Sequence, residues 1–217
     1  MLRRFIVLVA ALFLGAATLF AQLTPYEYAK RWYVSLQGGM VYFNGDWTYV
    51  FREYPGEWLT PAMPAFGASV GYGIANGHEL RLTASYGKKK ASCISYDYKL
   101  YPYSFHSVSL VADYVLAFMA LEENYVPFSP KMYVGPGVAY TFGFTDPHHP
   151  KRTVSGPNWV GCAHFGAIFE YNFPFGLGLF TDVGLMFLGD PYDGQGWYNF
   201  RLDMEVGLQM GVVYHFK

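Results

Sequence analysis

The chain has 217 residues, with 15 Lys plus Arg against 16 Asp plus Glu and a formal net charge of −1. A surface this close to neutral offers nucleic acid no electrostatic purchase. Hydrophobic residues make up 53% and aromatics 20%, yet beyond the first 21 positions no run of about eighteen uncharged apolar residues occurs, which argues against a helical inner-membrane protein.

Met1 to Ala21 carries Arg3 and Arg4, an apolar stretch from Phe5 to Ala17, and the small residue Ala21 before Gln22. That is the pattern of a secretory signal peptide, with an apolar core too short to span as a helix. Residues 1–21 are therefore read as signal, 22–31 as a short periplasmic segment and 32–217 as one domain. Loss of Arg3 and Arg4 with the signal takes the charge from −1 to −1 − 2 = −3. No Cys follows the apolar core, so a lipid-anchored amino terminus is not expected. Cys93 and Cys162 would meet an oxidising compartment and could pair, although their Cα separation is not legible in sequence.

Past the signal, the chain alternates with a period of two, the signature of extended strands with different surroundings on each face. Strand one is expected over about 32–43, with Val34, Leu36, Met40 and Tyr42 outside and Ser35, Gln37 and Gly39 inside. Strand two, about 65–75, sets Phe66, Ala68, Val70, Tyr72 and Ile74 over Gly67, Ser69, Gly71 and Gly73. Asn76-Gly77, a strong hairpin signal, leads to strand three, about 78–87, where Leu80, Leu82, Ala84 and Tyr86 alternate with Glu79, Arg81, Thr83 and Ser85. Strand four, about 105–117, pairs Val108, Leu110, Ala112, Tyr114 and Leu116 with Ser107, Ser109 and Asp113. Strand five, about 131–144, exposes Met132, Val134, Val138, Tyr140 and Phe142. Pro136 has no N–H for a ladder, so Gly135-Pro136-Gly137 should be a bulge or a local break. Strand six, about 158–171, turns Trp159, Ala163, Phe165, Phe169 and Tyr171 outward and Cys162, His164 and Glu170 inward. Strand seven, about 177–187, offers Leu177, Leu179, Val183, Leu185 and Phe187 outside and Asp182 inside.

The last segment is the clearest. Over 198–216 every second residue from Tyr198 to Phe216 is apolar or aromatic, and the interleaved set holds Arg201, Asp203 and Glu205. Few soluble strands run so long with so greasy an outer face, whereas a transmembrane β-strand must. The expected fold is an all-β, eight-stranded antiparallel transmembrane β-barrel, eight being the smallest even set that closes in a membrane. In this parsing no charged residue faces lipid, and the interior collects Glu79, Arg81, Asp113, Glu170, Asp182, Arg201, Asp203 and Glu205. Aromatics at strand ends, among them Trp32, Tyr86, Trp159, Tyr171, Phe187, Tyr198 and Tyr214, suit interfacial girdles. An even strand count places both termini on one side, taken as periplasmic. Connections at about 44–64, 88–104, 145–157 and 188–197 then fall outside, and short turns at 76–77 and 172–176 inside, with 118–130 long for an inner turn.

The runs WYVSLQGGMVYFNGDW, LTPAMPAFGASVGYGIANGHELRLTASYGKKKA and FSPKMYVGPGVAYTF resemble the amino-terminal barrel of OmpA-like outer-membrane proteins of Bacteroidetes. The likeness spans roughly 32–216; its most specific pieces are Gly38-Gly39, Tyr42 to Asp46, Leu59-Thr60-Pro61 and Phe128 to Gly137. It implies an outer-membrane barrel of the OmpA/OmpX kind. Such barrels often carry a carboxy-terminal peptidoglycan-binding domain; none is expected after strand eight here, and wall tethering by that route is not expected. Barrel subunits of Bacteroidetes secretion and assembly complexes look similar too. Tyr214 and Phe216 resemble the aromatic-terminated signal read by the barrel-assembly machinery, except that Lys217 follows.

Candidate sites are few. The interior charges could form an ion path or a packed plug; an eight-stranded barrel is just wide enough for its side chains to fill, so a plug is expected, with Gly67, Gly71 and Gly73 able to leave a wet cavity. Arg81 and Arg201 face six carboxylates in this parsing, a deficit of cations that burial makes expensive. Asp146, His148 and His149 offer possible metal ligands on a loop, but two adjacent histidines without a third spaced ligand are a weak signal, and no metal or cofactor is expected. A lipid-modifying enzyme would have to use His106, Ser107 or His164, none at a nucleophile–base spacing, so no catalysis is expected. Aromatic loops containing Trp47, Tyr49, Trp58, Tyr98 and Tyr101 are candidate contacts. The expected role is structural, or that of an accessory scaffold in a larger outer-membrane complex. The expected partners are lipid and lipopolysaccharide, the assembly machinery during insertion, and other outer-membrane proteins.

Overall fold

The computed structural model of the chain describes residues 31–44, 62–75, 77–94, 100–118, 127–145, 156–173, 176–194 and 202–216. The expected signal peptide, Trp47, Tyr49, Trp58, Tyr98, the 146–149 histidine loop and Arg201 lie outside these residues.

Eight antiparallel strands close on themselves in chain order, with β8 pairing β1. They are β1 Trp32–Asn44, β2 Met63–Ala75, β3 His78–Ile94, β4 Leu100–Ala117, β5 Phe128–Phe142, β6 Asn158–Asn172, β7 Leu177–Gly189 and β8 Leu202–His215. Closure leaves no strand edge unpaired, the condition for β-structure in hydrocarbon. A 3-10 turn, Asp190–Asp193, follows β7.

The phase of every strand is the expected one. Leu36, Trp159 and Met210 stand on the outer face at 63%, 72% and 67% exposure, while Arg81, Asp113, Glu170 and Asp182 are 5% exposed or less. A soluble protein would invert this. Two belts of rings mark the borders of the outer face. At the end holding the termini, Trp32 meets Tyr72, His78 hydrogen-bonds Tyr114, and Tyr214 meets Phe216 edge-on. At the opposite end, contacts run from Tyr86 through His106, Phe142 and Tyr140 to Trp159. Along β4, from His106 to Tyr114 at about 3.3 Å per residue and a tilt of about 40°, the apolar band between the belts is about 20 Å tall.

The connection expected over 88–104 is a correction: most of it is strand. β3 and β4 stay paired from His78↔Leu116 up to Ile94↔Leu100, well past the aromatic belt. Charge marks where a strand leaves hydrocarbon, but a ladder needs only backbone partners and continues into water. Tyr101 therefore belongs to β4 rather than to a loop.

At Pro136 the ladder breaks on one side only. The β4–β5 register resumes at Tyr114↔Val134 with the alignment it had at Val111↔Gly137, so no residue is bulged out. On the β6 side pairing runs straight through Pro136↔Ala163. Gly135 packs so close to β4 that a Cβ would lie 2.0 Å from the Ala112 carbonyl oxygen, which accounts for its lack of a side chain.

Candidate functional site

Cross-strand register determines how the lumen fills. Three inward aromatic residues each sit opposite a glycine: Tyr33 opposite Gly71, Tyr133 opposite Gly166 and Phe180 opposite Gly211. Their rings occupy the missing side chains' space, and a Cβ on Gly71 would fall 2.1 Å from the Tyr33 ring. The interior glycines thus make room for rings, not for a wide wet cavity, which corrects the expectation for Gly71.

Charges are layered between those rings. In the middle, Arg81 from β3 donates through Nη2 and Nε to Asp113 Oδ2 on β4, at 2.8 and 3.1 Å, and through Nη1 to Asp182 on β7 at 3.4 Å. Its guanidinium stacks 4.3 Å over the Tyr133 ring, whose hydroxyl donates to Asp182 Oδ1 at 2.7 Å. His164 Nδ1 lies 3.0 Å from Asp113 Oδ1. Toward the terminal end, Lys131 Nζ bridges Glu79 and Glu170, each at 3.0 Å. Glu170 Oε1 also accepts from Asn172 at 2.9 Å and lies 3.0 Å from His215 Nε2.

Toward the other end Lys89 reaches Glu205 at 2.6 Å. Above it rings and aliphatic side chains dominate the lumen, with Asp203 buried at the level of Leu188. Phe43, Tyr103, Phe105 and Tyr192 cluster with Val111, Val160 and Leu188, and Phe105 packs against Phe43, Phe144 and Tyr192 at ring distances of 5.0–5.6 Å. Tyr192 comes from the 3-10 turn, which folds back over the barrel mouth and is tied there by Tyr103 Oη donating to the Asp193 carbonyl at 2.9 Å. Burial raises the Tyr192 phenol, which stays protonated and donates to Glu205 Oε2 at 3.2 Å.

Seven of the eight expected interior charges are described, and all are inside: Glu79, Arg81, Asp113, Glu170, Asp182 and Asp203 are buried, and Glu205 is partly so. Lys89 and Lys131 relieve the expected shortage of cations, and His164 and His215 complete the network as ring-nitrogen partners of Asp113 and Glu170. Small cavities interrupt the packing among the described residues. One of about 50 Å³ is lined by Gln37, Ser85, Ser109, His164, Asp182, Glu205 and Gln209, and one of about 10 Å³ by Tyr33, Glu79, Arg81, Lys131 and Glu170. Such volumes suit a few waters at most.

The nominated catalytic residues are not brought together. His106 is on the outer face, bonded to Tyr86, while Ser107 is buried inside near Tyr192 and His164 serves Asp113. Cys162 is a free thiol on the inner face of β6. Tyr214 and Phe216 point outward at the barrel seam, where the Phe216 N–H donates to the Trp32 carbonyl at 2.9 Å.

No protein-family model matches the chain, and no curated protein sequence matches it. Among solved structures it is similar to a major outer membrane protein from Thermus thermophilus, with a TM-score of 0.50 at 15% identity over 85% of this chain and 99% of that one. It is similar also to Neisserial surface protein A, with a TM-score of 0.49 at 15% identity over 85% and 97%. A third is Ail, the attachment invasion locus protein of Yersinia pestis, with a TM-score of 0.48 at 14% identity over 87% and 99%. At these identities the likeness is one of fold, that of small outer-membrane barrels.

Proposed function

We propose that the chain is a non-catalytic, non-conducting barrel of the bacterial outer membrane with both termini in the periplasm. In this reading it serves as a structural or accessory subunit of a larger envelope complex. One observation carries the proposal: the lumen is occupied along its length, by ion pairs around Arg81 and Lys131 and by rings around Phe105. A barrel so filled has no route for a solute, which leaves its wall and its loops as working surfaces. Its outer face is apolar between two aromatic belts, as a lipid-embedded wall must be. Tyr214 and Phe216, at the closing strand, suit recognition by the barrel-assembly machinery.

Planar-bilayer recording of the purified chain tests the first half. The expected trace is silent, and a steady conductance abolished by Arg81→Met would reverse the reading. Gentle solubilisation of native membranes tests the second half. Partner outer-membrane proteins should co-purify, and recovery of the barrel alone would count against a scaffold.

A further inference from the structure

Among the described strand residues, every Asp and Glu, together with Arg81, Lys89 and Lys131, lies on the inner face. The charged exceptions are Lys88 and Lys90, two exposed residues on the outer face of β3, in phase with Tyr86. Neither makes an ion pair among the described residues. The Lys88-Lys89-Lys90 run is therefore split, Lys89 inward to Glu205 and its neighbours outward, with no acid among the described residues to meet them.

Their height is defined by the ring belt. Lys88 is directly across from His106 on β4, and His106 is stacked between Tyr86 at 5.9 Å and Phe142 at 5.7 Å. The Tyr86 hydroxyl is 2.8 Å from His106 Nδ1; when it donates there, Nε2 carries the ring proton. Lys90 is one outward step beyond, opposite Ser104. Two ammonium groups, with the His106 ring beside them, sit at the border between acyl chains and headgroups on the β3–β4 hairpin, and the other described strand residues at that level of the outer face are uncharged. Lipid phosphates lie at the same depth, and cations just above a girdle are placed to meet them.

We propose that Lys88, Lys90 and His106 form a binding site for the phosphate of a lipid headgroup, specifically of a phosphorylated glycolipid in the leaflet at the end opposite the termini. The site rests on the outer-membrane reading above and gives that wall a polar anchor point. It fixes the barrel's rotation relative to its lipid neighbours, because among the described residues the β3–β4 sector alone presents cations to the headgroup.

The test uses the full chain folded in neutral detergent micelles and titrated with diphosphoryl lipid A, with the same lipid stripped of phosphate, and with inorganic phosphate. The expected result is a preference of about tenfold or more for the phosphorylated lipid. Lys88→Gln/Lys90→Gln should erase that preference and Lys88→Arg/Lys90→Arg should keep it. Lys90→Gln alone should reduce it a few-fold, which serves if the double variant does not fold. Equal binding of the stripped lipid, or full preference in the double Gln variant, would overturn the site. Displacement by millimolar inorganic phosphate would make it a free-anion site and overturn it as well. Heat-modifiable migration on gels, read in parallel, separates the two claims: a chain that never folds in micelles fails the outer-membrane reading itself, whereas a folded barrel without preference fails only the lipid site.

Discussion

The two halves of the lumen are filled by opposite chemistry. Near the termini, Lys131 is locked between Glu79 and Glu170 with His215 behind them, and nearly every polar group depends on a charged neighbour. Near the other mouth, Phe43, Phe105 and Tyr192 close the barrel with rings, and the one ion pair there among the described residues, Lys89 with Glu205, keeps its acid partly exposed. A narrow barrel can therefore be plugged in two ways. Ion pairs demand matched partners, since removing one member strands a buried charge. Rings demand only volume, because an apolar gap costs lost contacts rather than an unmatched charge.

Substitutions should separate the halves. Lys131→Met leaves Glu79 and Glu170 facing each other without a cation, and should lower stability by about 3–5 kcal/mol in urea or guanidinium unfolding from micelles. Lys131→Met/Glu170→Gln should recover part of that loss; no recovery would mean the half is held by shape alone. Phe105→Ala should cost about 3–5 kcal/mol by the same measurement, at the lower end if Phe43, Phe144 and Tyr192 collapse into the space. Lys89→Met should cost least, about 1–3 kcal/mol, because Glu205 keeps the Tyr192 hydroxyl and some solvent. An equal loss at Lys89 and Lys131 would erase the contrast between the halves.

Sequence alone carried the strands, their phase and the buried acids, because a period of two survives in every strand and acids are conspicuous against apolar neighbours. The interior cations were harder to see. In Lys88-Lys89-Lys90 three identical residues carry no alternation, so the run reads as loop although Lys89 points inward. Lys131 falls at the expected start of strand five, whereas β5 begins at Phe128 and places it well inside. Tyr33, Tyr133 and Phe180 have the inward phase, but their fit to Gly71, Gly166 and Gly211 depends on register between strands, which no single strand encodes. His106 in the outer belt was legible only as a possible base; its partners Tyr86 and Phe142 come from neighbouring strands.

The most direct test of a lipid-facing wall around a packed lumen compares two neighbours on β4, Leu110 at 46% exposure and Val111 at 1%. The folded chain would be photolysed in bilayers whose lipids carry a diazirine in the acyl chain, and carbene insertion at the two positions read by mass spectrometry. Insertion at position 110 and protection at position 111 is the predicted result. Insertion at 111 equal to that at 110, or greater, would contradict the account.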